Sequence, residues 1–321
     1  MIKQEICQSI LSTLAFFDLF DRPLTLEELE IYLWRATARN DEIKQAVRLL
    51  LNEEIIVEQN GFFAFKRRKK IIPLHLRRRQ ISSKKLQIAK RAVKDLQWVP
   101  FLRGIFVIQS LALDNAKPSS DIDLLIVSAK NRLWLCRLLV IATIFVLGLR
   151  KSKHKKCDKI CLGYYLVENG LNIQKTKLIG LDILTPYWIA WARPLYSFSN
   201  FFKFWQANAW VADNIPNFKL KLRSNLIADL VADSKILRDW RNLFEWLLGG
   251  IWGTIFNVIS GKLQIWRIYS LPEARRPGAN IRADDKMVEL HHFSQRQEIL
   301  RRWLSKTKNI ELKNTKMKTL A

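Results

Sequence analysis

The chain has 321 residues, 49% of them hydrophobic and 26% charged, which excludes a disordered chain and leaves room for roughly two or three domains. Its formal net charge of +25 favours polyanionic partners: nucleotides, nucleic acid or an anionic membrane surface. Cys7, Cys136, Cys157 and Cys161 do not form a disulfide framework, and the first residues, interrupted by Glu5, lack a signal peptide. A reducing cytoplasm is therefore the expected location.

Residues 1–66 predict three helices and a hairpin. Gln4 to Phe17 has amphipathic spacing, and Thr25 with Glu28 three residues on forms a capping box for a second helix reaching about Trp34. Asp41 opens a third helix, Glu42 to Asn52. Ile55 to Val57 and Phe62 to Phe65 flank a turn at Asn60-Gly61, a hairpin signal. This succession has the pattern of a winged helix, whose usual role is DNA contact. Here seven Lys/Arg face eleven Asp/Glu, a net of −4, and the third helix offers only Lys44, Gln45 and Arg48 as readers. Phosphate contacts dominate DNA affinity, so protein contact or a structural role is at least as well supported.

The basic charge begins after residue 66. Residues 67–103 hold thirteen Lys/Arg against Asp95 alone, a net of +12. Residues 67–100 read as a basic helical connector with a helix from Ser82 to Trp98. Leu86, Ala89, Val93 and Leu96 are expected to pack, with Lys84, Lys85, Lys90, Arg91 and Lys94 outward.

Residues 101–185 read as an α/β domain, and Ile105 to Val127 within it is the most informative stretch. An apolar run ends at Gln109-Ser110, a polar turn follows, and Ser119-Ser120-Asp121-Ile122-Asp123 leads into the apolar run Leu124 to Val127. Residues two apart on a strand face the same way, so Asp121 and Asp123 present both carboxylates on one side while Ile122 enters the core. Two hard oxygen ligands this close suit Mg²⁺. This pattern resembles the DNA polymerase β-like nucleotidyltransferases, in which Gly-Ser at a strand end precedes Asp-x-Asp.

The resemblance implies a nucleotidyltransferase-type mixed sheet with flanking helices. It also implies Mg²⁺ at Asp121 and Asp123, and an NTP held through Gln109, Ser110 and Ser120. The family's Gly is here Gln109, and its later glycine is Asp114. Members usually add a third carboxylate from a later strand. The strand expected at Lys159 to Val167 has no acid inside it, only Asp158 at its entry and Glu168 at its exit; Asp158 is the candidate third ligand, with a solvated strand end after Lys155-Lys156 as the equally supported alternative. The implied activity is nucleotidyl transfer to an acceptor. The alternative is an inactive nucleotidyltransferase fold that binds nucleotide while the winged helix contacts DNA or protein.

The crossover helix is expected at Arg132 to Leu149 and a further strand at Leu171 to Lys177. Residues 186–321 read as a helical region with a basic, disordered tail. Tryptophans at helical spacing, as in Trp188-x-x-Trp191 and Trp240 to Leu247, are expected in the core rather than stacked on bases. Arg275 to Arg282 reads as a basic loop before a helix starting at Asp284. Leu138 to Leu149 and Leu247 to Ile259 are too short to span a membrane and read as buried helices. For the second, flanked by Arg241 and Lys262, lying against a membrane surface is the alternative. Nucleic-acid affinity is expected from the connector and C-terminal half, with a protein partner left open.

Overall fold

The computed structural model describes residues 2–152, 154–218, 228–275, 279, 281–290 and 294–319, which form eleven α-helices and two β-sheets. The N-terminal part runs α1 (Ile2–Asp18), β1 (Leu24–Thr25), α2 (Leu26–Ile31), α3 (Asn40–Asn52), β2 (Ile56–Gln59) and β3 (Phe62–Phe65). The Thr25 hydroxyl accepts from Glu28 N at 3.2 Å, and the Glu28 carboxylate accepts from Thr25 N at 3.1 Å, the expected capping box. Asn60 and Gly61 have φ of 55° and 75°, the left-handed pair that a two-residue hairpin turn requires. The strand order is β1-β3-β2.

This part is fused to the rest by apolar packing. Phe16 stacks on Tyr187 at 4.3 Å, the Tyr187 hydroxyl donates to Tyr32 O at 2.9 Å, and the Trp303 indole donates to Ser12 O at 2.9 Å. The connector helix α4 spans Ile71–Leu96, starting well before Ser82, with Pro73 tolerated in its first turn. It buries Leu86, Ala89, Val93 and Leu96 as their spacing predicts. Lys85 departs from the expected outward set and is buried.

The second sheet is built from β4 (Leu102–Val107), β5 (Ile122–Ser128), β6 (Ile160–Val167), β7 (Arg193–Tyr196), β8 (Arg282–Ala283) and β9 (Met287–Glu289), in the order β7-β4-β5-β6-β9-β8. The short helix α5 (Gln109–Ala112) follows β4, and α6 (Leu133–Val146) is the crossover between the parallel strands β5 and β6. The remaining helices are α7 (Leu184–Trp191), α8 (Phe198–Ala207), α9 (Lys235–Leu248), α10 (Ile251–Ser270) and α11 (Ser294–Thr319).

Several expectations for the second half are corrected. The region after Pro186 is not all helical: β7 pairs with β4, and the β8–β9 hairpin extends the sheet beyond β6. The expected helix start at Asp284 is the turn of that hairpin, where the Asp284 carboxylate accepts from Lys286 N and Met287 N. Leu171 to Lys177 holds a 3₁₀ turn at Gln174–Thr176 instead of a strand. The tail continues as α11 to Thr319, consistent with its Lys, Leu and Met, which are good helix formers. Of the basic loop at 275–282, residues 276–278 and 280 lie outside the described residues. Trp188, Trp191, Trp205 and Trp303 are core, but Trp240, Trp246, Trp252 and Trp266 are exposed.

Candidate active site

The site forms where β4 ends and β5 and β6 begin, beside α5. After β4 the chain turns sharply, Ile108 N donating to Asp123 O at 3.1 Å, so that α5 starts next to the entry of β5. The turn needs left-handed backbone at two places. Gln109 has φ 59° and Asp114 has φ 52°, the two positions where the resembled motif carries glycine. The glycine-type backbone is thus present without the glycines, at a cost of about 1–2 kcal/mol per residue. Asp114 is held by Arg193, whose Nη1 donates to its carboxylate at 2.7 Å, and Arg22 Nε donates to Leu113 O at 2.9 Å.

Replacing Gln109 with Gly is expected to relieve its strain. Because glycine also loses more chain entropy on folding, the net gain should be below about 1 kcal/mol, read from denaturant unfolding. If the cavity holds a triphosphate, as proposed below, its affinity should rise in calorimetry. A clear fall in affinity would mean that the Gln109 side chain is itself part of the binding surface.

Asp121 and Asp123 come together as their spacing predicts. Their carboxylate oxygens and Cys161 Sγ lie within 4.8 Å of one another, and Asp123 pairs in register with Cys161 across β5 and β6. Burial, and then the neighbouring Asp121, push the Asp123 carboxyl up to about 7. Lys151, just after α6, pairs with Asp121 and lies 3.6 Å from Cys161 Sγ. Burial opposes the Lys151 charge, yet Cys161, Asp121 and Asp123 together hold its pKa above the ordinary value.

Asp158, the candidate third ligand, does not join this group. It stands at φ 58° before β6 with its carboxylate on Lys85, 2.5 Å away, and that hydrogen bond holds its pKa below the ordinary value. The Lys85 ammonium also donates to Pro118 O at 3.1 Å and Ser120 O at 2.8 Å. The neighbour of Asp123 on β6 is instead Cys161, whose thiol burial pushes up to about 12. A protonated thiol is a poor ligand for a hard cation, so the donor set fits one Mg²⁺ on two carboxylates, completed by substrate oxygens. The Ser120 hydroxyl accepts from Lys117 N at 3.1 Å and holds the turn, and Ser120 is not among the residues lining the cavity that Gln109 and Ser110 share. Glu168 pairs with Arg103, away from the site.

Gln109, Ser110, Asp121, Asp123 and Lys151 line one cavity of about 360 Å³. Tyr164, Trp188, Trp191, Glu289 and Arg296 also line it. Glu289 pairs with Arg296, and burial raises its pKa against the pull of that arginine. Three buried polar atoms among its lining residues have no hydrogen-bond partner among the described residues: the Tyr164 hydroxyl, the Trp191 indole nitrogen and Glu289 Oε2. Buried polar groups are normally satisfied, so three orphans among the residues of one cavity call for water or a polar ligand there. Glu289 lay in a three-residue strand hidden in a stretch expected to open a helix; only its position after the apolar Met287-Val288 pointed inward.

Comparison with protein-family models, curated proteins and solved structures finds no match to this chain.

Proposed function

We propose that the cavity binds a nucleoside triphosphate together with Mg²⁺ and transfers its nucleotidyl group to an acceptor hydroxyl, as in a divergent DNA polymerase β-like nucleotidyltransferase. The observation that carries this is the Asp121–Asp123 pair lining a cavity whose other lining residues include three polar atoms without a partner among the described residues. The strand–turn–strand geometry with left-handed backbone at Gln109 and Asp114 supports it.

Asp121 and Asp123 would hold the cation, which when bound neutralises phosphate charge and favours in-line displacement. Ser110 and the α5 turn face the phosphates. Tyr164, Trp191 and Glu289 offer a hydroxyl, an N–H and a carboxylate oxygen to the base or sugar. In the transfer, the acceptor hydroxyl gives its proton to water, its oxygen forms a bond to the α-phosphorus, the bond from that phosphorus to the α–β bridging oxygen breaks, and pyrophosphate leaves. The order α1-β1-α2-α3-β2-β3, with β1 against β3, supports a winged-helix-like reading of residues 1–66, whose acidic charge favours protein contact over DNA.

A second reading, nucleotide binding without transfer, is favoured by Cys161 in the place of a third carboxylate and by Lys151 on Asp121. The deciding experiment incubates the protein with Mg²⁺ and each of the four α-labelled NTPs, with itself or total RNA as acceptor. Label incorporation lost in Asp121→Asn/Asp123→Asn supports transfer. Mg²⁺-dependent binding by calorimetry without incorporation leaves the binding reading, and neither signal overturns both.

A further inference from the structure

Helix α10 is built inside out. The stripe it turns toward the protein is small or polar: Gly253, Asn257, Ser260 and Gly261 are buried, with Ile268 the one large apolar residue among them. This stripe meets the first turn of α6. Asn257 Oδ1 accepts from Leu135 N at 3.0 Å, and Gln264 Nε2 donates to Trp134 O at 2.9 Å. At Gly261 an added Cβ would lie 2.6 Å from Trp134 Cδ1. The outward arc carries the bulk: Trp252 and Trp266 are 68% and 70% exposed, with Ile251, Phe256 and Leu263 beside them in the same state.

Helix α9 shares the exposed apolar face but not the polar stripe: on its inner side Phe244 packs edge-on to Trp98 at 5.8 Å and Leu248 packs against the core. Its Glu245 turns inward to Arg103, at 2.7 and 3.0 Å, and accepts from Phe101 N at 2.7 Å. Ile236, Trp240, Leu243, Trp246 and Leu247 stay exposed. Together α9 and α10 hold fourteen of the twenty-three large hydrophobic side chains exposed among the described residues, far more than the scattered apolar residues of an ordinary surface. Between Glu245 and Lys262 the sequence has no charged residue.

In water the hydrophobic effect drives the opposite arrangement, with large apolar residues inside. Small and polar residues between helices, with large apolar residues outside, is the order that lipid selects. The outward arc of α10 leaves only one narrow stripe covered, so a single flat protein face would leave much of it wet, whereas a fluid acyl layer covers a convex arc. Tryptophan is the residue of the bilayer interface, and the net charge of +25 complements anionic headgroups. No single helix among the described residues is long and apolar enough to cross a membrane, and α9 and α10 are bent by 92° at Gly249-Gly250. The bend is pinned from within, since Arg132 donates to Gly249 O at 2.7 Å.

We propose that the α9–α10 pair is a membrane-docking element that seats its apolar outer face in one leaflet of an anionic phospholipid bilayer, in the plane of the interface.

The test is flotation of the full chain with phosphatidylcholine vesicles and with vesicles containing phosphatidylglycerol. Trp252→Glu/Trp266→Glu, at two exposed positions, is the comparison. The wild type is expected to float with the anionic vesicles and to remain bound when salt is raised to about 1 M, because inserted apolar area is not screened. The double variant should lose partition by at least roughly tenfold. Brominated lipids should quench wild-type tryptophan fluorescence, a readout that does not depend on the variant. Equal flotation of both proteins, release of the wild type by salt, or no quenching would overturn the proposal. So would a vesicle-free dimer that the double variant dissociates, since a second copy would then cover the face.

Discussion

Asp123→Asn is expected to stabilise the metal-free protein at pH 8 while Asp121→Asn/Asp123→Asn abolishes Mg²⁺-dependent nucleotide binding. In the folded chain the Asp123 carboxyl is pushed up to about 7 by burial and by Asp121, against an unfolded value near 4. The folded state therefore keeps a proton that the unfolded state has released, and stability falls as pH rises from about 4 to about 7. Full burial would make this loss about 4 kcal/mol; since Asp123 is only partly shielded from solvent, about 1–2 kcal/mol is expected. Asparagine does not titrate, so the variant's unfolding midpoint should stay level over the range where the wild type's declines. Added Mg²⁺ should raise wild-type stability more at pH 8 than at pH 5 and leave the double variant unmoved. A variant less stable than wild type at pH 8 would mean that the carboxylate is held ionised by Lys151 and that the pair is a closed structural ion pair.

Local signals were legible in the sequence where the causes are local. The Thr25–Glu28 capping box, the Asn60-Gly61 turn and the two-residue spacing of Asp121 and Asp123 each act within a few residues, and each is present. The features that escaped depend on distant partners. Strand β7 contains Pro194, and β9 has only three residues; each is a strand because β4 or β6 lies beside it. Cys161 was visible as a cysteine in a buried strand, but its place opposite Asp123 is set by a register shift between β5 and β6. Lys85 sits among lysines at outward-looking spacing, and the carbonyls of Pro118 and Ser120 that draw it inward are more than thirty positions away. The α9–α10 face was misread for another reason. An apolar helical stretch reads first as core, with a membrane surface only as the alternative, and the sequence does not show that the stripe α10 buries is the small and polar one.

Lys85→Met is expected to destabilise the protein by about 2–3 kcal/mol and to weaken nucleotide binding out of proportion to that loss. The Lys85 side chain is 2% exposed, and its three donors go to Pro118 O, Ser120 O and Asp158, tying α4 to both chain segments that lead into the site. Methionine matches the stem and removes every donor, leaving two carbonyls beside α4 without their partner. Asp158→Asn removes only the charge from a carboxylate that is 49% exposed, and an exposed pair contributes under about 1 kcal/mol. The two variants therefore separate two roles. If Lys85 fixes the entry to β5, Lys85→Met lowers Mg²⁺-nucleotide affinity and Asp158→Asn leaves it near the wild-type value in calorimetry. If Asp158 were a metal ligand, Asp158→Asn would be the more damaging of the two, and the arrangement in which Lys85 claims its carboxylate would not be the one that binds substrate.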